Sequence, residues 1–129
     1  MANILLVEDE RNLGLLYESE FGTDGHQVTI ARDAREALQA VDQSRPDLVI
    51  VDIRLGEPMD GIELMSQLLE QDENLPVIIN TGYSQYRQNF MTWGAEAYVV
   101  KSSDLSPLKQ AVANALQKRA GLSSAQGQH

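Results

Sequence analysis

At 129 residues with a formal net charge of -9 and no cysteine, the chain has the size of one domain, large enough to bury about two thirds of its unfolded surface. Disulfide staples, thiolate metal sites and cysteine nucleophiles are excluded, and nineteen acids against ten bases disfavour direct binding of nucleic acid phosphates. No apolar run is long enough for a membrane span or a leader, since Ile4 to Val7 meets Glu8, Asp9 and Glu10 at once, so a cytoplasmic domain is expected.

In chain order, the first predicted strand is Ile4 to Val7, followed by Glu8 and Asp9 and then a helix with an apolar face of Leu13, Leu16, Tyr17 and Phe21. Gly25 marks the turn to a second strand, Val28 to Ala31. Asp33 and Glu36 read as a capping box for a helix whose face is Ala34, Ala37, Leu38 and Val41. Pro46 precedes the third strand, Leu48 to Val51, which ends at Asp52. Gly61 punctuates the next turn, and Ile62, Met65, Leu68 and Leu69 form the following helical face. Pro76 precedes the fourth strand, Val77 to Ile79, which is succeeded by Asn80 and Thr81. Ser84 to Trp93 has no clear period, and Trp93 reads either as core or as an anchor for a partner. The fifth strand, Tyr98 to Val100, runs into Lys101. Asp104 then caps a last helix carrying Leu105, Leu108, Val112 and Leu116, with Pro107 in its first turn, where no donor is needed. One domain is thus predicted over 1–119, with 120–129, small and polar, as a frayed end or the start of a linker.

Five βα units predict an α/β fold. Three of the five strands are apolar without alternation, as in a parallel sheet covered by helices on both faces. Ligands of such sheets bind beyond the carboxyl ends of the strands. There stand Glu8 and Asp9, Asp52, Asn80 and Thr81, and Lys101, whereas the second strand ends in Ala31 and Arg32. That distribution suits a flavodoxin-like order 2-1-3-4-5, which puts the second strand at the periphery.

Each polar residue also has a plainer reading. Asp9 suits a helix cap, Thr81 a turn, and Lys101 a solvated charge. Asp52 is different, because it ends the most buried strand, where an uncompensated charge is costly. Carboxylates about 5 Å apart repel by roughly 3 kcal/mol per pair at an effective dielectric near 20, so three together need a cation or a proton. Magnesium, a hard ion that keeps several waters, would leave positions for phosphate oxygens, with Lys101 and the Thr81 hydroxyl on the remaining ones. Asp52 then reads as a nucleophile that forms an aspartyl phosphate.

The runs V-E-D-E, V-D-I-R-L, M-D-G-I-E-L, N-T-G-Y and G-A-E-A-Y-V-V-K-S resemble the receiver domain of two-component response regulators, over about Asn3 to Leu116. The resemblance implies that Asp52 is the phosphoacceptor, that Glu8 and Asp9 bind Mg2+ with it (Mn2+ substituting), and that the Arg54 backbone carbonyl completes the protein ligands. It further implies that Thr81 is the hydroxyl that follows the phosphoryl group, Lys101 its ion-pair partner, and Tyr98 the aromatic residue that changes rotamer on activation. Arg54 and Tyr83 fall where receivers tune the lifetime of the phosphoryl group; both are large, which predicts slow self-dephosphorylation, unless both point to solvent. Implied partners are a sensor histidine kinase or phosphotransfer protein, an output protein or domain reached through the fourth helix, fifth strand and fifth helix, and a phosphorylation-dependent homodimer. The sequence departs from the family's pattern in having Glu8 for the commoner Asp, Ser102 where proline usually follows the lysine, and a loop from Asp52 to Asp60 one residue longer than usual.

The expected function is a phosphorylation switch rather than a conventional enzyme. An aspartyl-nucleophile phosphatase would need a second acid two residues past Asp52, where Arg54 stands. A flavin carrier of this architecture would need a hydroxyl-rich loop in place of Glu8, Asp9 and Glu10. A receiver-like scaffold that is never phosphorylated would not need Asp52, Thr81 and Lys101 together.

Overall fold

The computed structural model describes residues 2–53 and 60–127, with side chains described as far as Gly121. Five strands and five helices alternate: β1 (Asn3–Val7), α1 (Arg11–Thr23), β2 (Gln27–Ala31), α2 (Ala34–Gln43), β3 (Leu48–Val51), α3 (Gly61–Gln71), β4 (Val77–Thr81), α4 (Arg87–Thr92), β5 (Ala97–Val100) and α5 (Ser106–Gly127). All strand pairs are parallel, in the order β2-β1-β3-β4-β5, so the flavodoxin-like expectation holds. β4 extends past the predicted apolar run to include Asn80 and Thr81. α5 continues beyond Arg119 to Gly127, past the predicted end of the domain. No helix among the described residues is long and apolar enough to cross a membrane.

Strand alternation divides the core into two layers. Leu5, Val7, Val49, Val51, Val77, Ile79 and Tyr98 pack with α2, α3 and Phe90 of α4. Ile4, Leu6, Leu48, Ile50 and Ile78 pack with Tyr17 and Phe21 of α1 and Leu108, Val112 and Ala115 of α5. Side-chain caps mark three helix starts, at Asp33 and Asp104 as predicted and also at Asp60. Asp33 accepts the Glu36 N–H at 2.8 Å, Asp60 the Glu63 N–H at 3.0 Å and Asp104 the Ser106 N–H at 3.0 Å.

One residue of each of two predicted helical faces turns outward, while the rest of the face packs on the sheet as expected. Leu16 is 47 % exposed, whereas Tyr17 and Phe21 are buried as expected and Gly14 joins them. Ile62 is likewise exposed, while Gly61, Leu64, Met65 and Leu68 face the sheet. In both helices a glycine also stands on the buried stripe, but at Gly14 a Cβ would meet only the Ile30 side chain at 3.6 Å, an ordinary packing distance. At Gly61 the approach is extreme: a Cβ there would lie 2.7 Å from the Ile53 Cα and 3.0 Å from the Asp52 carbonyl oxygen. The start of α3 therefore presses directly on the backbone beside Asp52.

Candidate functional site

The sheet register builds the site. Leu6 pairs with Ile50 and Val7 with Val51, so Glu8 and Asp52 emerge next to one another at the following step. Ile50 pairs with Ile78, which puts Asn80 beside Asp52. The Lys101 N–H donates to the Thr81 carbonyl at 2.7 Å, fixing the end of β5 against that of β4. Lys101 Nζ then lies 2.9 Å from Glu8 Oε1 and 2.8 Å from Asp52 Oδ2.

Glu8 and Asp52 are buried, whereas Asp9 is exposed. Asp9 does not cap α1, which starts after Glu10 without a side-chain cap; this removes the plainer reading of that residue. Burial pushes the Glu8 carboxyl above its ordinary value, against hydrogen bonds from Lys101 and the Glu10 N–H that pull it down. For Lys101, burial works against the ammonium, but hydrogen bonds to Asp52 and Glu8 outweigh it and raise the pKa above 10.5. Lys101 is thus a fixed cation between two carboxylates. One carboxylate oxygen from each of Glu8, Asp9 and Asp52 lies within 4.8 Å of the others. Three hard oxygen donors at that spacing, with one member open to solvent, fit a divalent ion such as Mg2+ that keeps part of its water shell.

Beneath this cluster Asn80 Nδ2 donates to the Tyr17 hydroxyl at 3.0 Å, with both residues buried. Burial raises the Tyr17 pKa, against the hydrogen bond from Asn80 that pulls it down. The sequence signal was an amide directly following an apolar strand, but its partner was read only as core.

Thr81 belongs to the opposite layer. Its side chain is fully buried, and Oγ1 accepts the Tyr83 N–H at 3.4 Å. The carbonyl of the same Tyr83 accepts the Tyr98 hydroxyl. Tyr98 is turned in, 4 % exposed, with its ring 6.0 Å from that of Phe90. Tyr83 is half-buried, and its ring meets Tyr86 edge-on at 6.1 Å. Trp93 is 48 % exposed and leans edge-on against Phe90 at 5.7 Å, so it is not core. Arg54 and the loop of unusual length lie outside the described residues. Ser102 Oγ accepts the Asp104 N–H at 3.1 Å, joining the turn that opens α5.

The model of the response regulator receiver domain matches residues 4–113. The chain belongs to this receiver family. Sporulation initiation phosphotransferase F of Bacillus subtilis (strain 168) is 34 % identical over 111 residues, 84 % of this chain and 89 % of that protein. Regulatory protein AtoC of Escherichia coli (strain K12) is 34 % identical over 116 residues, 88 % of this chain but 25 % of its own length, so the receiver spans a quarter of that relative. Among solved structures, response regulator protein TrrA from Thermotoga maritima, in complex with Mg(2+)-BeF, has a TM-score of 0.83 and 33 % identity, covering 89 % of this chain and 99 % of that one. NtrX from Brucella abortus has a TM-score of 0.93 at 27 % identity, covering 99 % of this chain and 29 % of that one. As a receiver, the chain is a phosphoacceptor switch in two-component signalling and not a classical enzyme.

Proposed function

We infer that the receiver takes its phosphoryl group on Asp52 from a phosphohistidine of a sensor histidine kinase or phosphotransfer protein. The observation that supports this most directly is Lys101 bridging Glu8 and Asp52 at 2.9 and 2.8 Å, with oxygens of these two and of Asp9 inside 4.8 Å of one another. In the reaction an Asp52 carboxylate oxygen forms a bond to phosphorus as the bond from phosphorus to the donor imidazole nitrogen breaks. The electron pair leaves with that nitrogen, and the product is an acyl phosphate. Lys101 neutralises the charge that gathers on the phosphoryl oxygens, and the Thr81 hydroxyl is the neutral donor on the other side. Glu8, Asp9 and Asp52 would hold Mg2+, or Mn2+ in its place, with the Arg54 carbonyl as a further ligand. Bound there, the ion supplies positive charge toward the phosphoryl oxygens. The chain itself thus promotes both transfer and slow self-dephosphorylation.

On this reading Thr81 and Tyr98 are the switch, and the output protein, or a second copy of the chain in a phosphorylation-dependent homodimer, reads α4, β5 and α5. The receiver acts in the cytoplasm without binding nucleic acid itself, and residues 120–129 lead out of it. Arg54 and Tyr83 slow the entry of water. The Arg54→Ala, Tyr83→Ala double variant should lose its phosphoryl group faster, a tenfold change corresponding to about 1.4 kcal/mol in the barrier; unchanged decay would remove both residues from that role. The deciding experiment is phosphoryl incorporation from acetyl phosphate or a phosphohistidine donor, followed by intact mass. It should require Mg2+ or Mn2+ and vanish in Asp52→Asn, whereas undiminished incorporation in that variant or in excess chelator would overturn the assignment.

A further inference from the structure

α4 begins in a way that its own sequence does not favour. It has six residues, starts after Tyr86 without a side-chain cap, and carries no acid in its first turn. Its first residue is Arg87, a cation at the end of the helix where the macrodipole prefers an anion. Local rules broken in this way are compensated by a tertiary contact or serve a function.

The contact is with Tyr98. Arg87 Nη1 donates to the Tyr98 carbonyl oxygen at 2.8 Å, and the guanidinium carbon lies 5.2 Å from the centroid of the Tyr98 ring. β5 is an edge strand, and Arg87 supplies a donor to its backbone there. One side chain thus engages both the backbone and the ring of one residue. A planar guanidinium can stack and donate at once, which an ammonium cannot do equally well. On its far side Tyr98 is tied through its hydroxyl to the Tyr83 carbonyl, and Tyr83 is tied through its N–H to Thr81 Oγ1. The order of contacts is therefore Thr81, the Tyr83 backbone, the Tyr98 ring, Arg87.

We propose that Arg87 is a latch that holds Tyr98 in its buried position before any phosphoryl group is present, a positioning residue for the switch. This rests on reading Tyr98 as the switch residue: the latch biases the phosphoryl-free equilibrium toward the same buried rotamer that a phosphoryl group favours, and so sets how much of the shift is left to phosphorylation. Without Arg87 the ring keeps its hydroxyl bond and its contact with Phe90 but loses the cover over its exposed face. The ratio of buried to outward Tyr98 should fall about five- to tenfold.

The test uses the whole chain labelled with 3-fluorotyrosine, which gives four fluorine resonances, from Tyr17, Tyr83, Tyr86 and Tyr98. The Tyr98 line is assigned by Tyr98→Phe. In phosphoryl-free Arg87→Ala the Tyr98 line should move toward the solvent-exposed position while the Tyr17 line stays fixed, and Arg87→Lys should lie between. Arg87 is exposed, so neither variant threatens the core, and far-ultraviolet circular dichroism checks the fold. A Tyr98 line identical in wild type and Arg87→Ala overturns the latch, and so does an equal movement of the Tyr17 line, which would mean general loosening. Adding beryllofluoride with Mg2+ tests the reading beneath it. Recovery of the buried line in Arg87→Ala supports both. Displacement by the variant with no response to beryllofluoride leaves the latch standing and removes the coupling to Asp52.

Discussion

The carboxyl edge of the sheet carries two polar clusters held by opposite means. On the side of α1 and α5, Glu8, Asp52 and Lys101 form a charged group closed by two contacts under 3 Å. On the side of α3 and α4, the contacts of Thr81, Tyr83 and Tyr98 are neutral hydrogen bonds, and the one charge, Arg87, is exposed. Charges that are partly desolvated interact strongly and resist displacement, whereas neutral bonds near the surface contribute about 1 kcal/mol each and can be exchanged. The first arrangement suits preorganised chemistry and the second suits a change of conformation. Strand alternation separates them by one residue: Asn80 points toward Tyr17 of α1, while the next residue, Thr81, faces the opposite layer.

The largest way to break this contrast is Lys101→Met, which leaves two buried carboxylates without their cation. Phosphoryl incorporation should fall on the order of a hundredfold. Stability in chelator should fall by about 1–3 kcal/mol, less than for a fully buried pair because Lys101 is 21 % exposed. Urea unfolding that matches wild type would mean the charged side is not held as described. Magnesium comes next. At a hundred times its dissociation constant it should stabilise the fold by about 2.7 kcal/mol, a gain that Asp9→Asn should diminish and Tyr98→Phe leave intact, as read from thermal melts. If both variants lose it alike, the two clusters are not independent.

Tyr98→Phe probes the neutral side. It removes the hydroxyl from the Tyr83 carbonyl and should cost about 1 kcal/mol while sparing phosphoryl incorporation. The smallest effect is expected far from both clusters. Lys109 pairs with Glu20 and Asp24 at 3.1 and 3.3 Å on the surface, and these partners, Glu20 first, raise its pKa above 10.5. A lysine raised in this way stabilises the fold below its unfolded pKa and loses that contribution as pH rises through the folded value. Because the pair is solvated, Lys109→Ala should lower the melting temperature barely measurably at pH 7 and not at all above the raised value. A large effect at pH 7 would show that surface charge matters here as much as buried charge.

The charged side was the more legible in the sequence, because Glu8, Asp52 and Lys101 each follow an apolar strand and strand ends are converted into positions by the parallel sheet. Sheet order followed from the same polar ends. The neutral side was less legible for a physical reason: its links run through the Tyr83 main chain, which leaves no mark on residue type. Arg87 sat in the stretch from Ser84 to Trp93 that had no period, since α4 has only six residues and buries chiefly Phe90. Leu16 and Ile62 misled because hydrophobicity alone ranks them above the glycines on the buried stripes; the close approach of Gly61 to the backbone of Asp52 and Ile53 is a property of the fold.

Amide hydrogen exchange of the wild-type chain, with and without beryllofluoride and Mg2+, tests the central claim that chemistry at the charged cluster is read out through the neutral one. Protection should change from Thr81 through Val100 and into the start of α5, while α2, which touches neither cluster, keeps its exchange rates. Unchanged exchange across that stretch with the site saturated, or a change of the same size in α2, would contradict the account.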